Sequence, residues 1–344
     1  MHGTHPRGTL ASRGVRKPTR EREVGRGERV LPGAWRLRLP LDAVAGVPHV
    51  NAWALQAGNG IVLVDTGMHE RGSMANLERA LERTGHAVED IRLIVITHAH
   101  PDHCGQAAPI ADRAGCDVWI HPAYRDWLAR KPSLEQRVEI GRQSGVPEER
   151  LQRWAAEHAD EHSGIAGTLR SDRDLVPGVE LRTDLGTWQV LETPGHTPSH
   201  VCLHQPERRL LISGDHLLGR VSLYFDIGLT PDPVGEFRRS LELVDRLDAR
   251  LALAGHARPF TDVHGHVNAH RDTVAERLDA VRRALAGGPR TVYEITREIS
   301  GPEYSREMAG WKLGLTRAWL IHMAALGQAS PDGEDRDERW TLTG

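Results

Sequence analysis

The chain has 344 residues, room for two average domains, and its 39% hydrophobic and 26% charged residues suit a folded protein rather than a disordered one. With 44 basic and 47 acidic residues the formal charge is -3, which excludes a global electrostatic pull toward nucleic acid or an anionic membrane. No apolar run approaches the roughly 18 residues of a membrane span, the amino terminus lacks a signal pattern, and Cys104, Cys116 and Cys202 form no CxxC pair, so the expected setting is a reducing cytoplasm.

Residues 1–29 carry eight Arg/Lys, five Gly and two Pro with almost nothing apolar, a composition that predicts a disordered basic arm. From Trp35 onward strands alternate with helices. The stretches "WRLRL", "NAWALQA" and "IVLVDTG" read as strands, the last two joined through Gly58-Asn59-Gly60, whose residues tolerate the positive φ of a hairpin turn. In "SMANLERALERTG", Leu77, Ala80 and Leu81 share a helical stripe, with Ser73 as cap and Gly85 as stop. "RLIVIT" is a continuously apolar strand, "QAAPIADRAG" a short helix and "DVWI" the next strand, so both faces of the sheet are expected to be covered. Residues 123–175 break this rhythm. They are charged, helical in period and poor in strands, and read as an inserted helical cap. Strands resume with "VELRT", "TWQVLET", "HVCLHQ" and "RLLISGD", and a helix "VGEFRRSLELVDRL" precedes a last apolar strand, "RLALAGH".

The chemistry concentrates in "THAHPDHCGQ", directly after an apolar strand. His98 and His100 are two residues apart, and at about 3.3 Å per residue of extended backbone such side chains point the same way, which makes a half-site for zinc. Pro101 then forces a turn that lets Asp102 and His103 face a second position, with carboxylate and imidazole both acceptable to zinc. One loop can therefore feed two metals. Downstream, His196, Asp215 and His256 each leave a strand beside a glycine, where ligands and catalytic groups concentrate. If the strand ends converge, His98, His100 and His196 hold one metal, Asp102, His103 and His256 the other, and Asp215 bridges them.

On these residues the chain resembles the metallo-β-lactamase-fold hydrolases: HxHxDH at 98–103, the later His196, Asp215 and His256, and "VDTG" at 64–67. The resemblance covers about residues 30–265 and implies a four-layer αββα sandwich with a dinuclear metal site at one edge. It also implies a place for Asp65 beside the metals, where a carboxylate accepts the free N–H of a ligating histidine and fixes its tautomer. True β-lactamases of this fold lack a bridging aspartate like Asp215, and the oxygen-reducing di-iron branch carries Glu where His100 stands, so both activities are disfavoured. The glyoxalase II, lactonase and nuclease branches keep all seven ligands. Lactonase relatives use a tyrosine near the position of Tyr224 to hold an oxyanion, but the alignment is loose and core packing is the competing role for this residue.

Beyond Val267 three helical stretches, the first with Val274, Leu278, Val281 and Leu285 on one stripe, are followed by a turn and a final strand. This resembles the winged-helix-like carboxy-terminal domain attached to some proteins of the fold. From Asn268 to Gly344 there are 11 basic and 12 acidic residues, which is not a nucleic-acid footprint; packing over the site's edge or homodimer formation suits this segment better. The expected layout is thus an arm at 1–29, a catalytic domain at 30–267 with its cap at 123–175, and a winged-helix-like domain at 268–344. The expected activity is hydrolysis of a small-molecule thioester, ester or lactone carbonyl by a hydroxide bridging two zinc ions, with iron or manganese also acceptable to the donor set and Asp102 relaying a proton. Phosphodiester or RNA cleavage is the alternative, followed by sulfur oxygenation at a single iron held by His98, His196 and Asp215.

Overall fold

The computed structural model describes residues 25–41, 47–159, 162–301, 309–332 and 338–343. One sheet runs in chain order through β1 (Arg26–Leu31), β2 (Ala34–Pro40), β3 (His49–Ala57), β4 (Gly60–Val64), β5 (Ile91–Ile96), β6 (Asp117–Ile120) and β7 (Arg173–Asp174). Gly58, at φ 59°, and Asn59 connect β3 to β4 with Ala57 opposite Gly60, so that pair is antiparallel, as are β1 with β2 and β2 with β3. From β4 to β7 the pairing is parallel, because helices α1 (Ser73–Glu82) and α3 (Ala107–Ala114) carry the chain back before the next strand begins.

The second sheet contains β8 (Glu180–Thr183), β9 (Gly186–Glu192), β10 (Val201–Gln205), β11 (Leu210–Gly214) and β12 (Leu251–Ala254), in the order β12-β11-β10-β9-β8. It is antiparallel except where α7 (Pro233–Asp245) crosses between β11 and β12. Trp53, Val62, Val64 and Val95 of the first sheet pack against Trp188, Val190, Leu203, Ile212 and Leu253 of the second. Outside the first sheet, Leu77, Leu81 and Ile110 of α1 and α3 cover Leu63, Ile94 and Ile96. Outside the second, Val234, Phe237 and Leu241 of α7 cover Leu211 and Ala252. The result is the expected αββα sandwich, with each fully buried aliphatic side chain contributing roughly 1.5–3 kcal/mol.

Three expectations change in detail. Arg26 to Arg29, expected within the basic arm at 1–29, belong to β1, paired with Arg38 to Trp35, and residues 1–24 lie outside those described. Ser73 is the first residue of α1 rather than its cap; Gly72, at φ 83°, takes the position before it, and the Ser73 hydroxyl accepts from Glu70 N–H instead. The third concerns the boundary at 267. Helix α8 (Val263–Leu285) runs straight through it, capped by Asp262, whose carboxylate accepts from Gly265 N–H. The remaining elements, β13 (Arg290–Thr291), α9 (Val292–Ser300), α10 (Ala309–Ala325), β14 (Ala329–Asp332) and β15 (Arg339–Leu342), provide the expected helices and hairpin, closed by a sheet of order β13-β15-β14. Ile295, Trp319, Met323 and Trp340 join the same apolar cluster as Phe237 and Val267, so this segment shares a core with the sandwich's outer layer.

Between β6 and β7 lie three helices, α4 (Tyr124–Arg130), α5 (Leu134–Gln143) and α6 (Glu148–Glu157), and Arg173–Asp174, inside the range expected to be poor in strands, is β7 itself. Ser133 and Gln136 make a capping box at the start of α5. The insertion leans on the carboxy-terminal segment: Tyr293 N–H donates to Ser144 O at 2.9 Å and Glu338 N–H to Gln143 O at 3.1 Å.

Candidate metal centre

The parallel strand β5 ends at Ile96 and delivers Thr97 to His100 at the sheet edge, and the four-residue helix α2 (Pro101–Cys104) then turns Asp102 and His103 back toward the same point. Proline at the first helical position has no N–H to leave unsatisfied, so the chain can turn there at no hydrogen-bonding cost. From the second sheet His196 follows β9, Asp215 follows β11 and His256 follows β12. All seven residues meet. His98 Nε2 and His196 Nε2 lie 3.1 and 3.0 Å from His100 Nδ1; His256 Nε2 lies 3.2 Å from both Asp102 Oδ2 and Asp215 Oδ2; His103 Nε2 lies 3.5 Å from Asp102 Oδ2 and from Asp215 Oδ1. His196 Nε2 is 3.8 Å from Asp215 Oδ2.

The opposite face of each ring shows what these nitrogens carry. His103 Nδ1 faces Asp65 Oδ2 at 2.8 Å, His196 Nδ1 faces the Tyr224 carbonyl at 3.0 Å, His256 Nδ1 faces the His49 carbonyl at 3.0 Å and His100 Nε2 faces Asp226 Oδ2 at 3.1 Å. Each outward nitrogen must donate, because its partner can only accept. His98 follows the same logic through one more link: Thr97 Oγ1 donates to Asp65 Oδ2 at 2.9 Å, so it accepts from His98 Nδ1 at 3.0 Å. In the neutral rings every inward nitrogen therefore presents a lone pair, and lone pairs 3.0 to 3.1 Å apart repel unless a cation lies among them. His103 Nε2 and Asp215 Oδ1 are moreover buried with no hydrogen-bond partner among the described residues. Three groups of ligand atoms are close enough to share an ion: His98 with His100 and His196, His98 with His103 and Asp215, and Asp102 with His103 and His256. The donor set fits a divalent metal.

Charge within the cluster is redistributed accordingly. Burial opposes a charge on His256, but the Asp215 and Asp102 carboxylates outweigh it and raise its pKa to about 10. His103 is driven up in the same way against burial, by Asp102, Asp215 and Asp65. His196, buried and beside His100, falls to about 4. Burial alone would lift the Asp102 carboxyl, yet His103 and His256 hold it below the usual range.

The backbone around the ligands is tightly determined. Asp65 stands at φ 62°, immediately after β4, and its Oδ1 accepts from Thr97 N–H at 2.8 Å, which ties the two strand ends together. Asn51 Nδ2 donates to the carbonyls of Ala254 and Ala257, and Arg36 Nη1 also donates to Ala257 O, so the first sheet grips the turn that presents His256. A Cβ on Gly255 would stand 2.1 Å from Asp215 Oδ1 and 2.7 Å from His103 Cε1.

The chain has known relatives. A family model described as "Metallo-beta-lactamase superfamily" matches residues 45–256. The chain belongs to the metallo-beta-lactamase superfamily. Among curated members, "Probable metallo-hydrolase YqjP" of Bacillus subtilis is 25% identical over 273 residues, covering 74% of this chain and 82% of that protein. "Acyl-coenzyme A thioesterase MBLAC2" of Homo sapiens is 29% identical over 218 residues, covering 61% of this chain and 74% of that protein. Of solved structures, a metallo-beta-lactamase family protein from Thermus thermophilus superposes with a TM-score of 0.76 at 26% identity, covering 92% of this chain and all of that one. A beta-lactamase domain protein from Burkholderia ambifaria reaches 0.81 at 24% identity, covering 93% and 95%. This superfamily member is a metal-dependent hydrolase, and its His/Asp cluster fits a divalent metal.

Tyr224 is not core. It is 40% exposed, with its ring centroid 5.6 Å from His196 and 5.5 Å from His100. Sequence reasoning misses two residues in the immediate surroundings: Asp226 and, from α4, Trp127, whose Nε1 donates to Asp226 Oδ2 at 2.8 Å. His200 lies behind the cluster, its Nε2 accepting from Asp215 N–H at 3.1 Å. Among the described residues no helix is long and apolar enough to cross a membrane.

Proposed function

We propose that this chain is a dinuclear hydrolase of small-molecule thioester, ester or lactone carbonyls. The observation that carries the reading is the convergence of five imidazoles on Asp102 and Asp215, each ring with its outward nitrogen committed to another partner, and with His103 Nε2 and Asp215 Oδ1 buried without a hydrogen bond among the described residues. His98, His100 and His196 would hold one ion, Asp102, His103 and His256 the other, and Asp215, near His103, His196 and His256, would serve both. Zinc is the metal best suited to this N/O set, with iron or manganese chemically admissible. Bound there, the metal pair supplies Lewis acidity that lowers the pKa of water and polarises the substrate carbonyl.

The protein's own groups do the rest. Asp102, at the rim and held ionised by His103 and His256, is the residue able to accept a proton and pass it to the leaving group. Asp65 fixes His103 directly and His98 through Thr97. Tyr224, exposed above His100 and His196, lines the approach to the cluster. A thiolate can leave without a proton and an alkoxide can leave with the proton that Asp102 relays, and the named activity of the human relative supports the thioester class. We assign residues 123–175 as a cap that shapes this entrance, the segment from α8 onward as winged-helix-like, and the reducing cytoplasm as the setting that suits three free cysteines.

Purified, metal-analysed protein tested against acyl-CoA, S-lactoylglutathione, a homoserine lactone, bis-p-nitrophenyl phosphate and structured RNA decides the class. Turnover of one of the first three is expected. Turnover confined to the phosphodiester or the RNA would overturn the reading.

A further inference from the structure

The five imidazoles do not share a common support. Asp65, buried between the sheets, serves His103 directly and His98 through Thr97. His256 leans on the His49 carbonyl of β3. His100 and His196 depend instead on one short segment after β11. Asp226 Oδ2 accepts from His100 Nε2 at 3.1 Å, Asp226 N–H donates to the His196 carbonyl at 3.0 Å, and the Tyr224 carbonyl accepts from His196 Nδ1 at 3.0 Å. Two residues of this segment thus hold two ligands through three contacts.

The segment is itself held from outside the sandwich. Trp127 of α4 donates to the same Asp226 oxygen that His100 uses, at 2.8 Å, and its ring centroid stands 5.6 Å from that of His100. Arg130, one turn further along α4, donates to Gly228 O at 2.8 Å. Trp311 of α10 donates to Leu223 O at 2.9 Å. Cap and carboxy-terminal helix therefore fix the 223–228 segment, and that segment fixes two imidazoles of a single metal position.

We infer that Asp226, held in place by Trp127 of the cap, is a positioning residue that sets the affinity of the metal position formed by His98, His100 and His196 while leaving the position formed by Asp102, His103 and His256 unaffected. A carboxylate on the far nitrogen of a ligating imidazole fixes its tautomer and raises its basicity, and losing such a partner typically costs about 10–100-fold in metal affinity. Asp65 touches members of both positions, so its loss acts on both. Trp127 acts through Asp226: without its indole N–H the carboxylate keeps His100 but loses its anchor, so the effect is smaller and of the same kind.

The inference rests on the two-metal reading above, and the test separates them. Full-length protein is stripped with a chelator and titrated with zinc against a chromophoric competitor, for the unchanged chain and for Asp226→Ala, Trp127→Phe and Asp65→Asn. The unchanged chain is expected to take two ions. Asp226→Ala should weaken one of the two by about 10–100-fold and leave the other, Trp127→Phe should weaken the same one less, and Asp65→Asn should weaken both. Isotope-labelled histidine NMR of the stripped protein adds a readout that a packing role would not move: the Nε2-protonated tautomer of His100 should be lost in Asp226→Ala and kept in Trp127→Phe. Two unchanged affinities, or both falling equally in Asp226→Ala, would overturn the inference. Should Asp226→Ala fail to fold, Trp127→Phe, which keeps an aromatic ring in place, decides by the same criterion. If the unchanged chain takes a single ion, the two-metal reading falls, and the inference stands or falls on whether Asp226→Ala weakens that ion.

Discussion

The seven-stranded sheet delivers four ligands from one turn at the end of β5, whereas the five-stranded sheet delivers three from the ends of β9, β11 and β12. In the first half the spacing is local: a two-residue step in extended backbone puts His98 and His100 on one side, and a proline-started turn brings Asp102 and His103 around. Nothing beyond the backbone is needed to bring them together. In the second half the ligands are 19 and 41 residues apart along the chain, and only the packing of the two sheets across Trp53, Trp188 and Leu253 brings them to the first four. The local half makes the motif; the distant half makes it a site.

Removing Asp215 should break the comparison most severely, because its two oxygens lie 3.2 to 3.8 Å from three ligating nitrogens, one on His103 from the first half and two on His196 and His256 from the second. Asp215→Ala should lower kcat/KM by more than about 100-fold, beyond the usual cost of losing an outer partner, while circular dichroism and the melting temperature stay near those of the unchanged chain. Gly255→Ala is expected to come next. The added Cβ collides with Asp215 and His103 rather than with flexible surface groups, so the variant should lose about 1–3 kcal/mol of stability and bind metal more weakly, measured by denaturant unfolding and zinc competition.

The last effect needs no substitution and is one of pH. In chelator-treated protein His256, with its pKa raised to about 10, keeps its proton near neutrality, and a metal must displace it. Protons thus compete with the ion below that pKa. Apparent metal affinity should rise with pH from about 7 toward 10, by up to about tenfold per unit for this proton, and level off above. Zinc competition across that range checks the sign; a fall in affinity would contradict it.

The same contrast explains what was legible in the sequence. Period, glycine punctuation and apolar runs locate nearly every strand of both sheets, and the HxHxDH turn is visible because all its parts lie within six residues. His196, Asp215 and His256 are visible only as strand-end positions, and their meeting is a tertiary fact. Asp226 and Trp127 left no local signal. They lie 126 and 27 residues from His100, on a loop and a helix, and nothing in "LYFDIG" or "YRDWLAR" marks a carboxylate and an indole bound for the same imidazole. The boundary at 267 fails for a different reason. Gly265 and two flanking histidines disguise the first turn of α8, which Asp262 caps and Val263 and Val267 anchor in the core. Tyr224 reads as a core aromatic in a chain poor in them, yet its ring is 40% exposed and lies against the rings of His100 and His196.

Two ions are proposed to sit among these seven side chains. Crystals of zinc-loaded protein, measured at the zinc absorption edge, test it most directly. Two anomalous peaks are expected on either side of Asp215, one among His98, His100 and His196 and one among Asp102, His103 and His256. A single peak, or peaks away from these residues, would contradict the account.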